Sequence, residues 1–357
     1  MGLAVEVCGL KLRNPVISGA GPLGRNAVTI MRAAGGGAAA AVTQTVRARP
    51  YQAPRGFIAR VRDSLISASR WSEIPADVWV REELRKAKAA GIPVIVSIGG
   101  SEEEASEIAR AAVHAGADAV EISARHSGSN PGKVAGVVEA VRKAVSVPVF
   151  VKVGLPDPVG TARAAESAGA DGIVCMDAVG PVLGVDAESG MPLLGTAGGE
   201  GLLSGPAVKP LVTYWLIRVV KSVSIPVIGS GGVSSGRDAL ELIQAGASAV
   251  QVCTAAVLRG PKVFGLIADE IFTFMKSRSY GSVNDIRGNL LRRLPEGPVA
   301  PKTPEVIPSK CNSCGLCEQQ CPTSAIRLFG KGVKIDAARC DGCGLCVTAC
   351  PVRAIKW

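Results

Sequence analysis

Eight of the eleven cysteines lie between Cys311 and Cys350, where they form an internal repeat. Each half has the spacing C-x2-C-x2-C-x3-C-P, which begins at Cys311 and again at Cys340. Thiolates at this spacing ligate iron–sulfur clusters, which carry single electrons. In a short secreted chain such cysteines would indicate disulfides, but at the end of a chain of 357 residues they indicate metal binding.

The repeat is the run found in bacterial ferredoxins, in which the fourth cysteine of each half ligates the cluster of the other half. It therefore predicts two [4Fe–4S] clusters with crossed ligands. The two sets are Cys311, Cys314, Cys317 and Cys350, and Cys340, Cys343, Cys346 and Cys321. Zinc is the alternative, but a zinc site needs four soft ligands per ion and gives no reason for two matched C-x3-C-P endings.

The residues before the tail alternate between strand-like and helical patterns. The predicted strands are residues 15–19, 39–44, 93–98, 118–123, 148–153, 171–176, 226–229 and 248–253. Amphipathic stretches at 102–114 and 133–145 lie between them, and Ser101 with Glu104 indicates a capping box. Eight strands with crossovers in about 250 residues predict an α/β fold, a (β/α)8 TIM barrel. An open doubly wound sheet is the alternative, because the glycines from Gly229 resemble a dinucleotide-binding turn.

Two connections, 45–92 and 177–225, are longer than a crossover requires. In a barrel such loops project over the carboxyl ends of the strands, where active sites are assembled. Residues 295–310 hold five prolines and no hydrophobic periodicity, which is typical of a linker. The predicted domains are a barrel over 1–294, a Pro-rich linker over 295–310 and a ferredoxin-like domain over 311–357.

Two one-electron centres beside a barrel require a cofactor that exchanges electron pairs for single electrons, and flavin does this. Barrels often bind a phosphate after strands seven and eight. Gly231 and Gly232 follow the seventh predicted strand, and Cys253 and Thr254 stand at the end of the eighth. These residues are therefore candidates for the flavin phosphate site.

The charge and composition of the chain limit the kinds of partner that we expect. The formal net charge of +10 suggests nucleic acid, but two clusters with their thiolates contribute about −4 and a flavin phosphate about −2. The positive net charge is therefore weak evidence for nucleic-acid binding, and no nucleic-acid partner is expected. No run approaches the ~20 apolar residues of a membrane span, and the N-terminus lacks a signal sequence. We expect a cytoplasmic protein with no membrane partner.

Seven stretches carry a family resemblance: GLKLRNP from Gly9, SIG from Ser97, GADAVE from Gly116, FVKV from Phe150, GLLSGPAVKP from Gly201, GSGGV from Gly229 and QVCT from Gln251. The barrel resembles the dihydroorotate dehydrogenase family, and with its tail the chain is similar to the flavin-barrel and ferredoxin portion of dihydropyrimidine dehydrogenases. The resemblance implies hydride exchange between flavin N5 and a C–C bond next to a carbonyl, with electrons relayed through the clusters. It also implies a small pyrimidine-like or other cyclic amide substrate, a ferredoxin or partner electron-transfer subunit, and a homodimer.

The resemblance also implies which residues hold FMN. They are Ser18, Gly19, Ala20, Thr43, Gln44, Lys152, Gly205, Gly231, Gly232, Cys253 and Thr254. Lys152 should reach the N1/O2 edge of the flavin, where a cation stabilises the anionic reduced ring. A lysine within Val-Phe-Val-Lys-Val is costly to bury unless it is paired.

The positions that contact pyrimidine in the family are mostly different in this chain. Ser123 replaces an asparagine of strand four, and Asp177 with Ala178 replaces an Asn-Thr/Ser pair after strand six. Beside the flavin, Gln44 stands where a lysine is common. The sequence therefore supports the cofactor more strongly than the substrate.

The candidate general bases are His126 and Ser127. His126 falls near the position of the family's base, and imidazole exchanges protons near neutral pH. Ser127 is the rival, because a hydroxyl has this role in part of the family. Arg70 and Arg125 could bind an anionic substrate, and Trp71 could stack on it.

Two other functions remain open at this point. One is an electron-transfer flavoprotein subunit whose substrate site is degenerate. The other is a tRNA dihydrouridine synthase-like enzyme, which is also an FMN barrel; it predicts a cysteine in the loop after strand four and a helical RNA-binding tail, and this sequence has neither.

Overall fold

The structure is a computed structural model that describes residues 2–54, 56–128, 130–297, 299–300, 302–330 and 332–357, without the side chain of Ser127. The chain divides into two compact units. The first ends at Arg293 and the second begins at Leu294.

The first unit alternates strands and helices along most of its length. Its strands are β1 Val5–Val7, β2 Leu10–Leu12, β3 Val16–Ser18, β4 Ala40–Val42, β5 Ile58–Val61, β6 Ser64–Ser67, β7 Val94–Ile98, β8 Ala119–Ser123, β9 Val149–Val153, β10 Gly172–Cys175, β11 Val179–Leu183, β12 Glu200–Ser204, β13 Val227–Ser230 and β14 Ala249–Val252. Its helices are α1 Ala27–Gly35, α2 Ala76–Val78, α3 Leu84–Ala87, α4 Glu102–His114, α5 Pro131–Ala144, α6 Pro158–Ser167, α7 Lys209–Val220, α8 Gly236–Gln244, α9 Thr254–Arg259 and α10 Val263–Ser277. No helix in the part of the chain that the structure describes is long and apolar enough to cross a membrane.

Eight parallel strands close into a barrel in the order β3, β4, β7, β8, β9, β10, β13 and β14. Seven of them lie within the predicted strands, and β13 extends one residue beyond the predicted 226–229. Every residue of β7, β8 and β9 is buried, as expected when helices cover a parallel sheet. The predicted TIM barrel is confirmed. The open sheet is wrong, because β14 pairs with β3, with Val250 opposite Val16, and leaves no edge.

The tripeptide Ala-Gly-Ala recurs before three barrel strands because it ends the preceding helix. Gly116, Gly169 and Gly246 have φ angles of 102°, 96° and 112°, which only glycine adopts readily. At the first of them, the Ala117 N–H donates to the Ala112 carbonyl at 3.0 Å and closes the last turn of α4. The repeat therefore marks a helix-to-strand turn.

The predicted capping box at the start of α4 is only half formed. Ser101 Oγ accepts a hydrogen bond from the Glu104 N–H at 3.2 Å. The Glu104 carboxylate does not return this bond. It accepts instead from Arg47 Nη2 at 2.6 Å and from the Ala48 N–H at 2.9 Å, which anchors the first long loop.

The two long loops build one antiparallel sheet in the order β11, β12, β6 and β5. In it Leu203 of β12 lies opposite Ile66 of β6. Because both loops follow barrel strands, the sheet forms a wall beside the carboxyl ends of the barrel.

The second unit contains β15 Glu305–Val306, β16 Ile326–Phe329, β17 Gly332–Ile335 and β18 Ile355–Lys356, with α11 Leu316–Gln319 and α12 Leu345–Ala349. Gly315 and Gly344, with φ of 76° and 81°, precede the two helices at equivalent positions of the repeat. The expected linker over 295–310 needs correction, because β15 pairs with β18 and so belongs to this unit. Because β15 is two residues long and prolines flank it, the sequence does not predict it, and only its pairing with β18 identifies it as a strand.

Candidate active site and cluster centre

A cavity, here the main cavity, opens where the barrel strands end and meets the four-stranded sheet. The sheet contributes Leu65, Ser67, Leu202 and Ser204 to its wall. The predicted cofactor residues that line it are Gly19, Ala20, Gln44, Lys152, Gly205, Gly231, Gly232, Cys253 and Thr254. Residues separated by more than 200 positions in sequence thus meet in one place, as the topology of a barrel requires.

Two residues expected along the flavin ring lie behind the wall of the main cavity. Ser18 is 1% exposed and Thr43 is 0% exposed. Thr43 Oγ1 accepts a hydrogen bond from the Ser97 N–H at 3.0 Å. Ser18 and Thr43 are thus not among the residues that line the main cavity, and their place beside a flavin ring stays a prediction.

Glycine backbone forms the part of the main cavity after β12 and β13. Gly205, Gly231 and Gly232 have φ angles of 103°, 112° and 80°. A Cβ at Gly231 would lie 2.8 Å from Val212 Cγ2, and one at Gly232 would lie 2.5 Å from Lys209 Cβ. There is no room for side chains, so bare backbone faces the cavity, which is the surface that a phosphate group needs.

A buried polar cluster lies among the strand ends. Lys152 Nζ lies 2.9 Å from Glu121 Oε1, and Gln251 Nε2 donates to Glu121 Oε2 at 2.6 Å. Lys152, Glu121 and Gln251 are only 6%, 1% and 2% exposed, yet all three line the main cavity. The pairing explains how a lysine is accommodated in a strand whose other residues are apolar.

The main cavity also has hydrogen-bonding capacity that the protein does not use. Gln44 Oε1 and Gln251 Oε1 are buried and have no hydrogen-bond partner among the described residues. Because buried polar atoms are rarely left unpaired, these two acceptors indicate a ligand with donors on its edge. Together with the buried Lys152 ammonium and the glycine backbone, they fit a flavin with its phosphate.

An ion pair, Arg125 with Asp177, also lines the main cavity. Arg125 Nε lies 3.2 Å from Asp177 Oδ2, and both residues are partly buried and line the cavity. Burial raises the pKa of Asp177, but the charges of Arg125 and Lys152 outweigh it and hold that pKa below its usual value. Asp177 is therefore an anion at neutral pH and holds the Arg125 guanidinium beside the cavity.

His126 lies in an adjoining space, here the side cavity. Arg70, Trp71 and Arg125 line both cavities, and His126 lines only the side cavity. The histidine ring meets the edge of Trp71 at 5.8 Å between centroids, and a Cβ at Gly99 would lie 2.7 Å from His126 Cβ. The imidazole is thus held by close packing, while its Nε2 atom is buried without a partner in the described part of the chain.

The surroundings of His126 favour the neutral imidazole. Burial, followed by the charge of Arg125, lowers the pKa of His126 from 6.5 to about 4. Arg47, which lies 5.1 Å from the centre of the Trp71 ring, acts in the same direction, and Asp177 opposes it. At neutral pH the side chain is therefore able to accept a proton.

The other candidate base, Ser127, ends the helical turn Ala124–Ser127. Its side chain lies outside the described residues, so Ser127 stays a prediction.

Glu121 and Gln251 line the main cavity but were not predicted as site residues. Both stand in fully buried strands made mostly of apolar residues, as Lys152 does. A buried carboxylate requires a cation, so three polar residues in three buried strands were a signal that they would meet inside the barrel. What could not be read from the chain was which of them pair.

In the second unit, one cavity is lined by Cys311, Cys314, Cys317 and Cys350. These four cysteines form one of the predicted crossed ligand sets. The Ala325 N–H donates to Cys321 Sγ at 3.2 Å and the Ala354 N–H donates to Cys350 Sγ at 3.1 Å, so the fourth cysteine of each half accepts an equivalent bond. Such N–H to sulfur bonds tune the potential of iron–sulfur clusters.

Across the described ranges, no three His, Cys, Asp or Glu side chains are arranged to hold a single metal ion. The four cysteines surround a space instead, as the ligands of a polynuclear cluster do.

A closed barrel with a cavity at the carboxyl ends of its strands, into which buried polar side chains project, has the architecture of the TIM-barrel enzymes. The dihydroorotate dehydrogenase family matches residues 2–275, and the 4Fe-4S dicluster domain matches residues 310–354. The chain is 35% identical over 299 residues to the catalytic subunit of dihydroorotate dehydrogenase B (NAD(+)) of Methanothermobacter thermautotrophicus, an alignment that covers 80% of this chain and 97% of the relative. The proteins of the same description from Thermoplasma acidophilum and Methanosarcina mazei are 36% and 38% identical, over 81% and 80% of this chain and 99% and 94% of the relative.

The chain therefore belongs to the dihydroorotate dehydrogenase family. It is a flavin-dependent oxidoreductase that acts on CH–CH groups and carries a 4Fe–4S domain at its C-terminal end.

Proposed function

We propose that the protein oxidises or reduces a C–C bond next to a carbonyl in a cyclic amide, and that it uses FMN and two [4Fe–4S] clusters to do so. The observation that carries the proposal is the junction of the two cavities, which places Lys152 in one and His126 in the other with Arg125 lining both. The substrate class is dihydroorotate, a dihydropyrimidine or a related ring.

The main cavity would hold the FMN. Gln44, Lys152 and Gln251 supply a buried amide acceptor, a cation and a second buried acceptor for the edges of the ring. Gly205 leaves room beside the ring, and the residues that follow β13 and β14 would bind the phosphate, namely Gly231, Gly232, Cys253 and Thr254. When bound, FMN supplies a ring that exchanges a hydride with carbon and single electrons with iron–sulfur centres.

The residues of the side cavity would handle the substrate. His126 is held neutral and would take the proton from the carbon next to the one that exchanges the hydride. Arg125, oriented by Asp177, and Arg70 offer guanidinium groups for carbonyl or carboxylate oxygens. Ser127 remains the alternative base.

The cysteine tail would hold two clusters with crossed ligands, one on Cys311, Cys314, Cys317 and Cys350 and the other on Cys340, Cys343, Cys346 and Cys321. The cavity formed by the first set supports this pairing. Because the relatives are described as catalytic subunits of an NAD(+) enzyme, we propose that electrons leave or enter through a ferredoxin or a partner electron-transfer subunit. A homodimer of this chain is part of the same proposal.

The direct test is an anaerobic screen for bleaching of the flavin absorbance. Purified full-length protein is mixed without oxygen with dihydroorotate, dihydrouracil, dihydrothymine and related cyclic amides, and we expect at least one of them to reduce the flavin. If dithionite reduces the flavin and the clusters but no compound in the screen does, the protein is an electron carrier without a substrate site, and the proposal is wrong.

The pH dependence of kcat/KM tests the role of the neutral histidine. Because the pKa of His126 is lowered to about 4, the base stays neutral through the mildly acidic range. We expect kcat/KM to stay level from pH 7 to about 5 and to fall about tenfold per pH unit below about 4. An acid limb centred near 6.5 would show an ordinary exposed imidazole and contradict the assignment.

The same pKa has a consequence for stability. A histidine whose folded pKa is lower than its unfolded pKa binds more protons when unfolded, so its contribution to stability declines as pH falls from about 6.5 to about 4. Denaturant titrations of wild type and His126→Gln should therefore diverge across that window and run parallel above it.

A further inference from the structure

Glu121 contributes a buried charge to the main cavity that the proposed reaction does not use. It stands on β8, adjacent to β9, which carries Lys152, while Gln251 reaches it from β14 across the barrel. Its carboxylate lies 2.9 Å from the Lys152 ammonium and accepts a hydrogen bond of 2.6 Å from Gln251. At 1% exposure, this is a fully desolvated carboxylate.

This carboxylate is the counter-ion of Lys152, and it lines the cavity beside the lysine. A buried ion pair of this kind contributes little net stability, because the loss of hydration offsets the attraction between the charges. Replacing such a pair by well-packed apolar side chains is often neutral or stabilising in proteins. A polar pair that also lines a ligand cavity is therefore better explained by its effect on what binds there.

We propose that Glu121 is a positioning residue that holds Lys152 and lowers the reduction potential of FMN bound in the main cavity. The inference rests on the assignment of this cavity to FMN made above. An uncompensated ammonium at the ring edge would stabilise the reduced, anionic flavin and raise its potential. The Glu121 carboxylate lies 2.9 Å from the Lys152 ammonium, so the two opposite charges act together as a dipole. The field of a dipole falls off faster with distance than that of a single charge, so a ligand in the cavity feels less of the positive charge of Lys152.

Replacing Glu121 by Gln is the experiment that tests the role. Glutamine keeps the shape of the side chain and an acceptor for Gln251 but removes the charge. In an anaerobic potentiometric titration of the full-length protein, we expect the ratio of reduced to oxidised flavin at a fixed potential to rise about tenfold, since one unit charge is removed close to the ring. For a two-electron couple this is a shift of about +30 mV.

Lys152→Met shows whether Glu121 acts through Lys152. The single variant should lower the potential, because the cation is lost. In the Lys152→Met background, Glu121→Gln should shift the potential much less than in the wild-type background, because Lys152, through which Glu121 is proposed to act, is absent. An equal shift in both backgrounds would show that Glu121 acts on the flavin directly and would overturn the positioning role.

Asp118→Asn is the matched control. Asp118 Oδ2 pairs with Lys88 Nζ at 2.5 Å, but the pair lies before β8, at the opposite end of the strand from the cavity. The Asp118→Asn variant should leave the reduction potential of the flavin unchanged. If Glu121→Gln does not fold, Glu121→Asp withdraws the charge from Lys152 without removing it and should give a smaller shift of the same sign.

The outcomes separate this inference from the proposed function. Wild-type protein that binds no flavin when reconstituted would overturn both. Protein that binds FMN and is reduced by substrate, but whose potential is the same in Glu121→Gln or Glu121→Asp as in wild type, would overturn the inference about Glu121 alone.

Discussion

Replacing His126 by alanine is expected to lower kcat about 10²- to 10⁴-fold while FMN content and the flavin spectrum stay the same. The reason is geometric, because the histidine lines the side cavity and not the main cavity that would hold the ring. The packing of the imidazole against Trp71 fixes its orientation, so the loss should appear in kcat more than in KM. Steady-state kinetics with the substrate found in the anaerobic screen, together with the absorbance spectrum of each preparation, gives the answer.

His114 provides the control for this experiment. It is the other histidine of the chain, and it stands exposed at the end of α4. His114→Ala should behave as wild type. Ser127→Ala decides between the two candidate bases, because a loss confined to that variant, with His126→Ala retaining normal turnover, would move the role to the hydroxyl.

The second large effect is expected from pairs of cysteine substitutions. If the ligands are crossed, Cys314→Ala with Cys350→Ala damages one cluster, and iron falls from about eight to about four atoms per chain. Cys314→Ala with Cys321→Ala damages both clusters and removes nearly all the iron. The cavity that Cys314 shares with Cys350 is the structural basis for this expectation.

The opposite result would mean that each half of the repeat holds its own cluster. Iron content and low-temperature EPR spectra of both double variants distinguish the two arrangements. FMN content measured on the same samples reports whether the barrel has folded. Cys8→Ala, which changes a cysteine of the first unit, should leave the iron unchanged.

Much of the barrel is predictable from local sequence. Runs rich in Val and Ile such as residues 93–98 show no alternation of polar and apolar residues, which indicates strands covered on both sides. Helix α4 was predicted with its observed bounds, because its cap and its apolar period both lie within the same few residues. The short strand β15 was not predicted, since two residues among prolines have no period and need β18 as a partner.

The residues of the site likewise fall into two groups, those that short segments of sequence predict and those that depend on tertiary contacts. Glycines that need positive φ and cysteines at cluster spacing are properties of short segments, so Gly231, Gly232 and the eight tail cysteines could be nominated from the chain alone. Whether a side chain at the end of a strand turns toward the cavity or into the packing is not a local property. Thr43 turned inward to Ser97, whereas Gln44, one position later, lines the main cavity.

By itself, the order of residues predicted the barrel and nominated the cysteines proposed as cluster ligands and the glycines proposed to bind phosphate, because each depends on residue type and spacing over a few positions. The tertiary structure alone decided that Glu121 pairs with Lys152, that Asp177 pairs with Arg125 and that half-buried His126 has a lowered pKa. Charges interact through space, and the partners in these pairs are 31 and 52 positions apart on different strands and loops. Only the side-by-side pairing of β8, β9 and β10 brings them within a few ångströms, where their fields are strong enough to set the chemistry.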